Sequence, residues 1–283
     1  MTSQEKPEVH RAAAGKPLAG KVALITGSSR GIGRETAILF AEGGAIVVLN
    51  GRDEARLADT AGLLRERGFS VSTAAADVTD AEQCRAMVER VLGEYGRLDI
   101  LVNNAGISMR GSFAELDPGV IETVTRTNVV GAALPTRYAV DAITRSRGSI
   151  VFISSLAGVR GFAGVSIYSA AKMALTGLAE SLHVELTASG VHVGVLFVAF
   201  TENDPDKTVM GADGKPVRIS RRASTTQRQV AVQLLRMIRR RRRKVYVTAA
   251  GKYLAFMQRY FPRLTDAVIL RSRGRIHQAS RRQ

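Results

Sequence analysis

From Lys21 onward the apolar positions switch repeatedly between two periods. Short runs rich in β-branched residues (VALIT, AIVVLN, FSVST and LDILVN) are each followed by a longer stretch with apolar residues every three or four positions: Ile32 to Glu42, Asp53 to Arg67, Ala81 to Tyr95 and Val120 to Thr144. The rhythm continues with SIVFIS, a helical pattern from about Ser166 to Ala188, VHVGVLFV, another from about Thr225 to Arg240, and KVYVT. Apolar runs bounded by Gly or Asn are strands covered on both faces, and the helices between them make right-handed crossovers. The expected fold class is therefore α/β: one domain, about residues 18–250, built on a doubly wound parallel sheet of seven strands.

Three segments stand outside that rhythm. Residues 1–17 read as a mobile N-terminal extension without the apolar core of a signal peptide. Thr201 to Ser224 is polar and holds Pro205, Gly211, Pro216 and an Asp213-Gly214 pair suited to a tight hairpin turn. So long an irregular stretch in a compact domain reads as a lid over a site, about 199–224; the bland alternative is a disordered surface insertion. Residues 251–283 form a basic amphipathic extension, with Tyr253, Phe256, Met257, Tyr260, Phe261 and Leu264 at helical spacing among Lys252, Arg259 and Arg263. Pro262 should divide it into two helices.

Charge changes the picture of that tail. The 283 residues carry a net +16, but up to Asp206 there are 20 basic against 23 acidic residues, a net of −3. From Lys207 onward 21 basic face only 2 acidic residues, a net of +19. The cationic run from Arg239 to Lys244 is explained in part by helix C-terminal capping and hydration. For the amphipathic tail three readings stand: peripheral contact with an anionic membrane surface, packing on the domain or a partner subunit, and, least supported, nucleic acid, for which no recognition motif is present. The lone Cys84 makes neither an internal disulfide nor a multi-cysteine metal site, so no metal is expected and a cytoplasmic setting fits. The longest apolar runs are far below the roughly 18 residues of a bilayer span.

Candidate chemistry begins after the first strand, where TGSSRGIG places Gly27, Ser29, Arg30, Gly31, Ile32 and Gly33 in a strand-to-helix turn. Glycines there permit a tight turn and bring backbone N–H groups to a pyrophosphate at the positive end of a helix; a glycine turn without a ligand is the alternative. An NAD site normally has an acid at the end of the second strand, whereas here Asn50 and Gly51 occupy that place and Arg52 follows. Arg30 and Arg52 favour a 2′-phosphate, hence NADP(H), without excluding NAD(H). Asp53 reads at least as well as a helix N-cap. Farther on, Tyr168 and Lys172 lie one helical turn apart, so an ammonium can sit beside a phenol; taken in isolation, a solvated pair on a helix surface is the commoner reading. Lowering a tyrosine pKa by about three units takes roughly 4 kcal/mol, which Lys⁺ together with an oxidised nicotinamide can supply. Ser154 and Ser155 end the fifth strand of the pattern at the carboxyl edge of the sheet, the usual ligand crevice.

Taken together, TGSSRGIG, Asp77, Asn103-Asn104-Ala105-Gly106, Asn128, Ser155 and Tyr168-x3-Lys172 resemble the short-chain dehydrogenase/reductase family over about Leu18 to Val198. The resemblance implies a single-domain Rossmann fold, an NAD(P) cofactor along the carboxyl edge, a small-molecule carbonyl or alcohol substrate and assembly as a homo-oligomer, dimer or tetramer. It implies that Tyr168 is the acid/base, that Ser155 rather than Ser154 hydrogen-bonds the reacting oxygen, that Lys172 lowers the tyrosine pKa and binds the nicotinamide ribose, and that Asn128 holds a water leading to bulk. It also places Asp77 at the adenine, and Val78, Asn104, Ala105 and Gly106 along the cofactor. The family's usual Pro-Gly after the sixth strand is Val198-Ala199 here, which puts the shape of the nicotinamide pocket in question. The expected activity is NADP(H)-dependent interconversion of a ketone and a secondary alcohol, with an apolar carbonyl as substrate; the alternative is a non-catalytic dinucleotide sensor or scaffold docked by its basic end.

Overall fold

The structure is a computed structural model; it describes residues 15–202, 204, 207–218 and 223–280, with side chains as far as 271. The expected N-terminal extension therefore lies outside the described residues, apart from 15–17. Strands β1 (Val22–Ile25), β2 (Ile46–Leu49), β3 (Val71–Thr73) and β4 (Ile100–Asn103) alternate with helices α1 (Gly31–Glu42), α2 (Glu54–Glu66) and α3 (Ala81–Tyr95). A two-residue β5 (Met109–Arg110) precedes α4 (Pro118–Thr125) and α5 (Gly131–Ser146). There follow β6 (Ser149–Ser155), α6 (Ser166–Leu186), β7 (His192–Val198), β8 (Thr208–Gly211), β9 (Pro216–Arg218), α7 (Gln227–Arg239), β10 (Lys244–Tyr246), α8 (Ala249–Tyr260) and α9 (Pro262–Ser280).

The seven apolar runs form one sheet in the order β3-β2-β1-β4-β6-β7-β10, every adjacent pair parallel. The order reverses direction beside β1, which opens a crevice at the carboxyl ends of β1 and β4. Alternate strand residues feed two cores. Ala23 and Ile25 pack with Phe40, Leu57 and Leu234 under α1, α2 and α7, whereas Val22 and Leu24 pack with Val91, Ile143 and Leu175 under α3, α5 and α6. The fold is the doubly wound Rossmann type that the pattern foreshadows.

Two elements differ from expectation. The single helix expected from Val120 to Thr144 starts earlier, at Pro118, and is broken by a π-helical turn at Arg126–Val130. Gly131 fits there because a Cβ would stand 2.8 Å from Val78 Cγ2, and Pro135, lacking an N–H, follows inside α5. The polar stretch after β7 is not wholly irregular either. β8 and β9 form an antiparallel hairpin, turning at Gly214 with φ +81°, and β8 pairs in parallel with β5 to make a second, three-stranded sheet. In the tail, the break falls at Pro262 as expected. No helix among the described residues is long and apolar enough to cross a membrane.

Candidate active site

The turn after β1 is closed by backbone packing. Gly27 and Gly31 take φ +62° and +60°, and a Cβ on Gly27 would meet Ala105 Cα at 2.9 Å, one on Gly33 the Gly27 carbonyl oxygen at 2.3 Å; glycine is the residue that fits. Asn104 Nδ2 donates to the carbonyls of Thr26 and Gly27, both at 2.9 Å. Thr26 Oγ1 accepts from the Asn104 and Ala105 amides, both at 3.0 Å. That hub was not singled out in the sequence; its signal is the threonine immediately ahead of the glycines. Helix α1 starts from this turn without a side-chain cap and without an acid in its first turn, so its positive end is presented to an anion.

At the adenosine side, Asn50 is buried and donates to the Ala74 and Ala76 carbonyls at 3.0 and 3.2 Å. It stitches β2 to the segment after β3, so no side chain occupies the place of the usual acid. Arg52 Nη1 lies 3.6 Å from Asp77 Oδ2, bringing two expected site residues together. Burial pushes the Asp77 carboxyl upward, but hydrogen bonds from Thr79 and the charge of Arg52 outweigh it and hold the group below its ordinary value. Asp53 accepts from the Arg56 amide at 3.1 Å and is the N-cap of α2. Ser29, Arg30, Arg34, Arg56, Thr60 and Asp204 line a cavity of about 340 Å³. Arg34 and Arg56 escaped the sequence reading, although Arg34 is one helical turn beyond Arg30 and Arg56 sits in the first turn of α2.

The second cluster lies where β6 meets α6. Ser155 ends β6 and its Oγ accepts from the Ala157 amide at 3.2 Å. Ser154 turns inward and donates to the Lys172 carbonyl at 3.0 Å, a structural bond that separates the two serines cleanly. Lys172 Nζ lies 5.7 Å from the centre of the Tyr168 ring and donates to the Ile153 carbonyl at 3.0 Å. Burial pushes the Lys172 ammonium down to about 8. Burial also pushes the Tyr168 phenol above its ordinary value, against the opposing hydrogen bond shared with Ser155; protein groups alone thus hold the tyrosine protonated. Asn128, in the π-helical turn, is buried and donates to the Ile107 and Val124 carbonyls at 2.8 and 2.9 Å, while its Oδ1 has no hydrogen-bond partner. A Cβ on Gly106 would come within 2.5 Å of that Oδ1 and 3.3 Å of Lys172 Nζ, so Gly106 keeps the space between them open.

Tyr168 packs against a small apolar cluster of Met109, Val120 and Val124, with Met210 of the hairpin beside it. Val198 is buried at the end of β7, in register with Ser155, and the Ala199 carbonyl accepts from Thr201 Oγ1 at 3.1 Å. Val78 is buried against Gly131, and Ile32 is half-buried in the first turn of α1.

A parallel sheet with a glycine cradle at the start of α1, together with a Ser, Tyr, Lys and Asn cluster at the carboxyl edge, defines an oxidoreductase that works on CH–OH or C=O groups with a nicotinamide dinucleotide. The cradle, the uncapped helix end and the orphaned Asn128 oxygen fit such a group. The family model for short chain dehydrogenases matches residues 21–211. The chain belongs to the short-chain dehydrogenase/reductase family. It is 39% identical over 184 residues to a putative ketoacyl reductase of granaticin polyketide synthase from Streptomyces violaceoruber, covering 64% of this chain and 68% of that one. It is 32% identical over 231 residues to the ketoacyl reductase HetN of Nostoc sp., covering 81% and 79%. Among solved structures, a short-chain dehydrogenase/reductase from Burkholderia phymatum in complex with NAD superposes with a TM-score of 0.76 at 25% identity, covering 88% of this chain and 96% of that one.

Proposed function

We propose that this enzyme is an NADP(H)-dependent reductase of an apolar carbonyl compound. When bound, the dinucleotide supplies the hydride, and the chain's own residues do the rest. Tyr168 gives its phenolic proton to the carbonyl oxygen, and Ser155 Oγ donates a hydrogen bond to the same oxygen, stabilising the charge that develops there. Lys172 holds the nicotinamide ribose and, as a cation one turn from Tyr168, eases proton loss; Asn128 Oδ1 anchors a water through which the proton is replaced. Gly27, Ser29, Gly31, Ile32 and Gly33 cradle the pyrophosphate, Val78, Asn104, Ala105 and Gly106 line the cofactor, and Asp77 meets the adenine.

The observation that carries the reading is the Ser155, Tyr168, Lys172 and Asn128 cluster, in which Gly106 leaves a gap between Asn128 and Lys172 while Tyr168 meets both Lys172 and Ser155. The 2′-phosphate preference is supported by Arg30, Arg34 and Arg56, which line one cavity together with Asp59 and Asp204, by Arg52 beside Asp77 and by the absence of an acid at the end of β2. The apolar substrate is supported by the cluster beside Tyr168, to which the hairpin adds Met210 as the wall of a lid. A cytoplasmic setting suits dependence on a reduced dinucleotide pool, and self-association as a dimer or tetramer is expected from the family resemblance; light scattering on the purified protein reads the assembly. The reaction is tested by following NADPH and NADH oxidation with a panel of apolar ketones, for the wild type and Tyr168→Phe. NADPH-preferring turnover that the substitution removes, with dinucleotide binding retained, supports the reading. Turnover indifferent to Tyr168→Phe sinks it.

A further inference from the structure

The outer face of α8 and the start of α9 carry a surface that the reaction does not use. Helix α8 is seated on the domain by one side. A Cβ on Gly251 would meet Leu156 Cδ2 at 2.8 Å, and Gln258 Oε1 accepts from Arg160 Nη1 at 3.2 Å. In α9, Thr265 is buried and Asp266 pairs with the same Arg160. Leu156 and Arg160 belong to the segment directly after Ser155, so the helix pair is anchored beside the substrate side of the site.

At 100° per residue, the side of α8 opposite Gly251 presents Tyr253, Phe256 and Tyr260, which are 66%, 52% and 58% exposed. The Phe256 ring packs at a tilt against Tyr260 and Phe261, with ring centres 4.9 and 6.2 Å away, so the patch is continuous across the break at Pro262. Leu264 extends it. Lys252, Arg259 and Arg263 stand exposed around it, with the Arg259 guanidinium over the Tyr260 ring. Residues 251–283 hold eight basic residues and a single acid, Asp266, which faces the domain. Among the described side chains of this segment, the exposed charge apart from the Asp266–Arg160 pair is therefore of one sign. An isologous contact with a second copy would bring these cations together, whereas an anionic surface attracts them.

We propose that this face docks the enzyme on an anionic lipid membrane, with Tyr253, Phe256 and Tyr260 entering the interfacial region and the surrounding cations lying on lipid phosphates. Aromatic rings with one polar edge suit that depth, and each nearby cation strengthens attachment. The inference stands on the surface alone and not on the reaction proposed above.

Co-sedimentation of the full chain with vesicles of phosphatidylcholine containing phosphatidylserine, against vesicles of phosphatidylcholine alone, tests it. Binding to the anionic vesicles is expected, weakening as salt rises. Phe256→Asp with Tyr260→Asp, and separately Arg259→Glu with Arg263→Glu, are each expected to lower binding by roughly tenfold or more, with thermal unfolding unchanged because these side chains are exposed. The chain has no tryptophan, so a Phe256→Trp variant gives a clean second signal: its emission shifts to the blue on anionic vesicles. Failure of the wild type to bind, binding indifferent to both double substitutions, or an unshifted emission overturns the proposal. So does loss of a dimer in the aspartate variant without any vesicle effect, which would assign the face to a second copy. Binding to duplex DNA that exceeds binding to vesicles would likewise assign it to nucleic acid.

Discussion

Lys172 carries an ammonium into a place that disfavours it. Its side chain is 5% exposed and its pKa falls to about 8, against about 10.4 for a free lysine. Between those values the unfolded chain binds the extra proton, so stability rises with pH across that window; below about 8 the buried charge costs on the order of 3 kcal/mol. Lys172→Met should therefore be more stable than the wild type at neutral pH, by less than that amount because the bond to the Ile153 carbonyl is lost, while turnover disappears. Urea unfolding at neutral pH and near the upper end of the window checks this, and a stability gap that does not shrink as pH rises refutes the desolvation argument. At the other end of the site, replacing Arg30 and Arg52 together by alanine removes charge-assisted bonds of about 1.5–3 kcal/mol each. The expected result is a loss of at least tenfold in kcat/KM with NADPH and little change with NADH; equal losses with both would place the arginines elsewhere on the cofactor. Spacing shows that Tyr168 and Lys172 share a helix face and that Ser155 lies at a strand end, whereas the choice of Ser155 over Ser154 and the roles of all three come from the family resemblance. Arg34, Arg56 and Thr26 were not, because their convergence depends on how α1 and α2 approach each other across the sheet edge.

Elements bring those residues into register, and they differ in how far their sequence reveals them. All seven strands of the main sheet were visible as buried runs, since a strand covered on both faces cannot hide its composition. The π-helical turn was not visible: nothing in the apolar period from Val120 to Thr144 shows that the helix must open to pass Val78 and to bring Asn128 inward. The hairpin was half legible, its turn marked by Asp213-Gly214 but its pairing with β5 set by a non-local contact. That pairing is close, since a Cβ on Gly111 would meet Ala212 Cβ at 2.6 Å. Before the hairpin, Asp204 accepts from Gln227 Nε2 at 3.2 Å and lies 3.8 Å from Arg34, and a Cβ on Gly31 would approach its Oδ2 to 3.6 Å. A carboxylate from the segment after β7 thus stands near the positive end of α1, where it would compete with an incoming pyrophosphate. Asp204→Asn should tighten NADPH binding by about two- to fivefold, the range of a helix-end charge effect. Titration of NADPH fluorescence measures it, and weaker binding would show instead that Asp204 helps to build the site.

Across the whole molecule, charge is divided along the chain: the part up to Asp206 is close to neutral, and the excess lies beyond it. In the near-neutral part, individual ion pairs matter most where they are buried, and Asp99 is the central case. It is 1% exposed and sits where β1, β4 and β6 begin. Its carboxylate accepts from Arg97 at 2.6 and 2.8 Å, from Lys21 Nζ at 3.0 Å and from the Val22 amide at 3.0 Å, while its own carbonyl accepts from the Ser149 amide at 2.8 Å. Burial pushes the carboxyl upward, but the bonds from Arg97, Val22 and Lys21 outweigh it, and the pKa falls below the ordinary value. A carboxylate lowered in the folded state contributes stability above its unfolded pKa near 3.9 and loses it as pH falls through the folded value. Asp99→Asn should therefore cost about 2 kcal/mol at neutral pH, since the two cations are half-exposed and regain water, and lower Tm by about 4–8 °C. The variant should also lose less stability than the wild type as pH falls below about 4. Calorimetry from neutral to acid pH measures both effects. Parallel curves for the two proteins would mean that the clasp joining the halves of the sheet draws its strength from packing and the backbone ladder, with the buried charge contributing nothing to the acid limb.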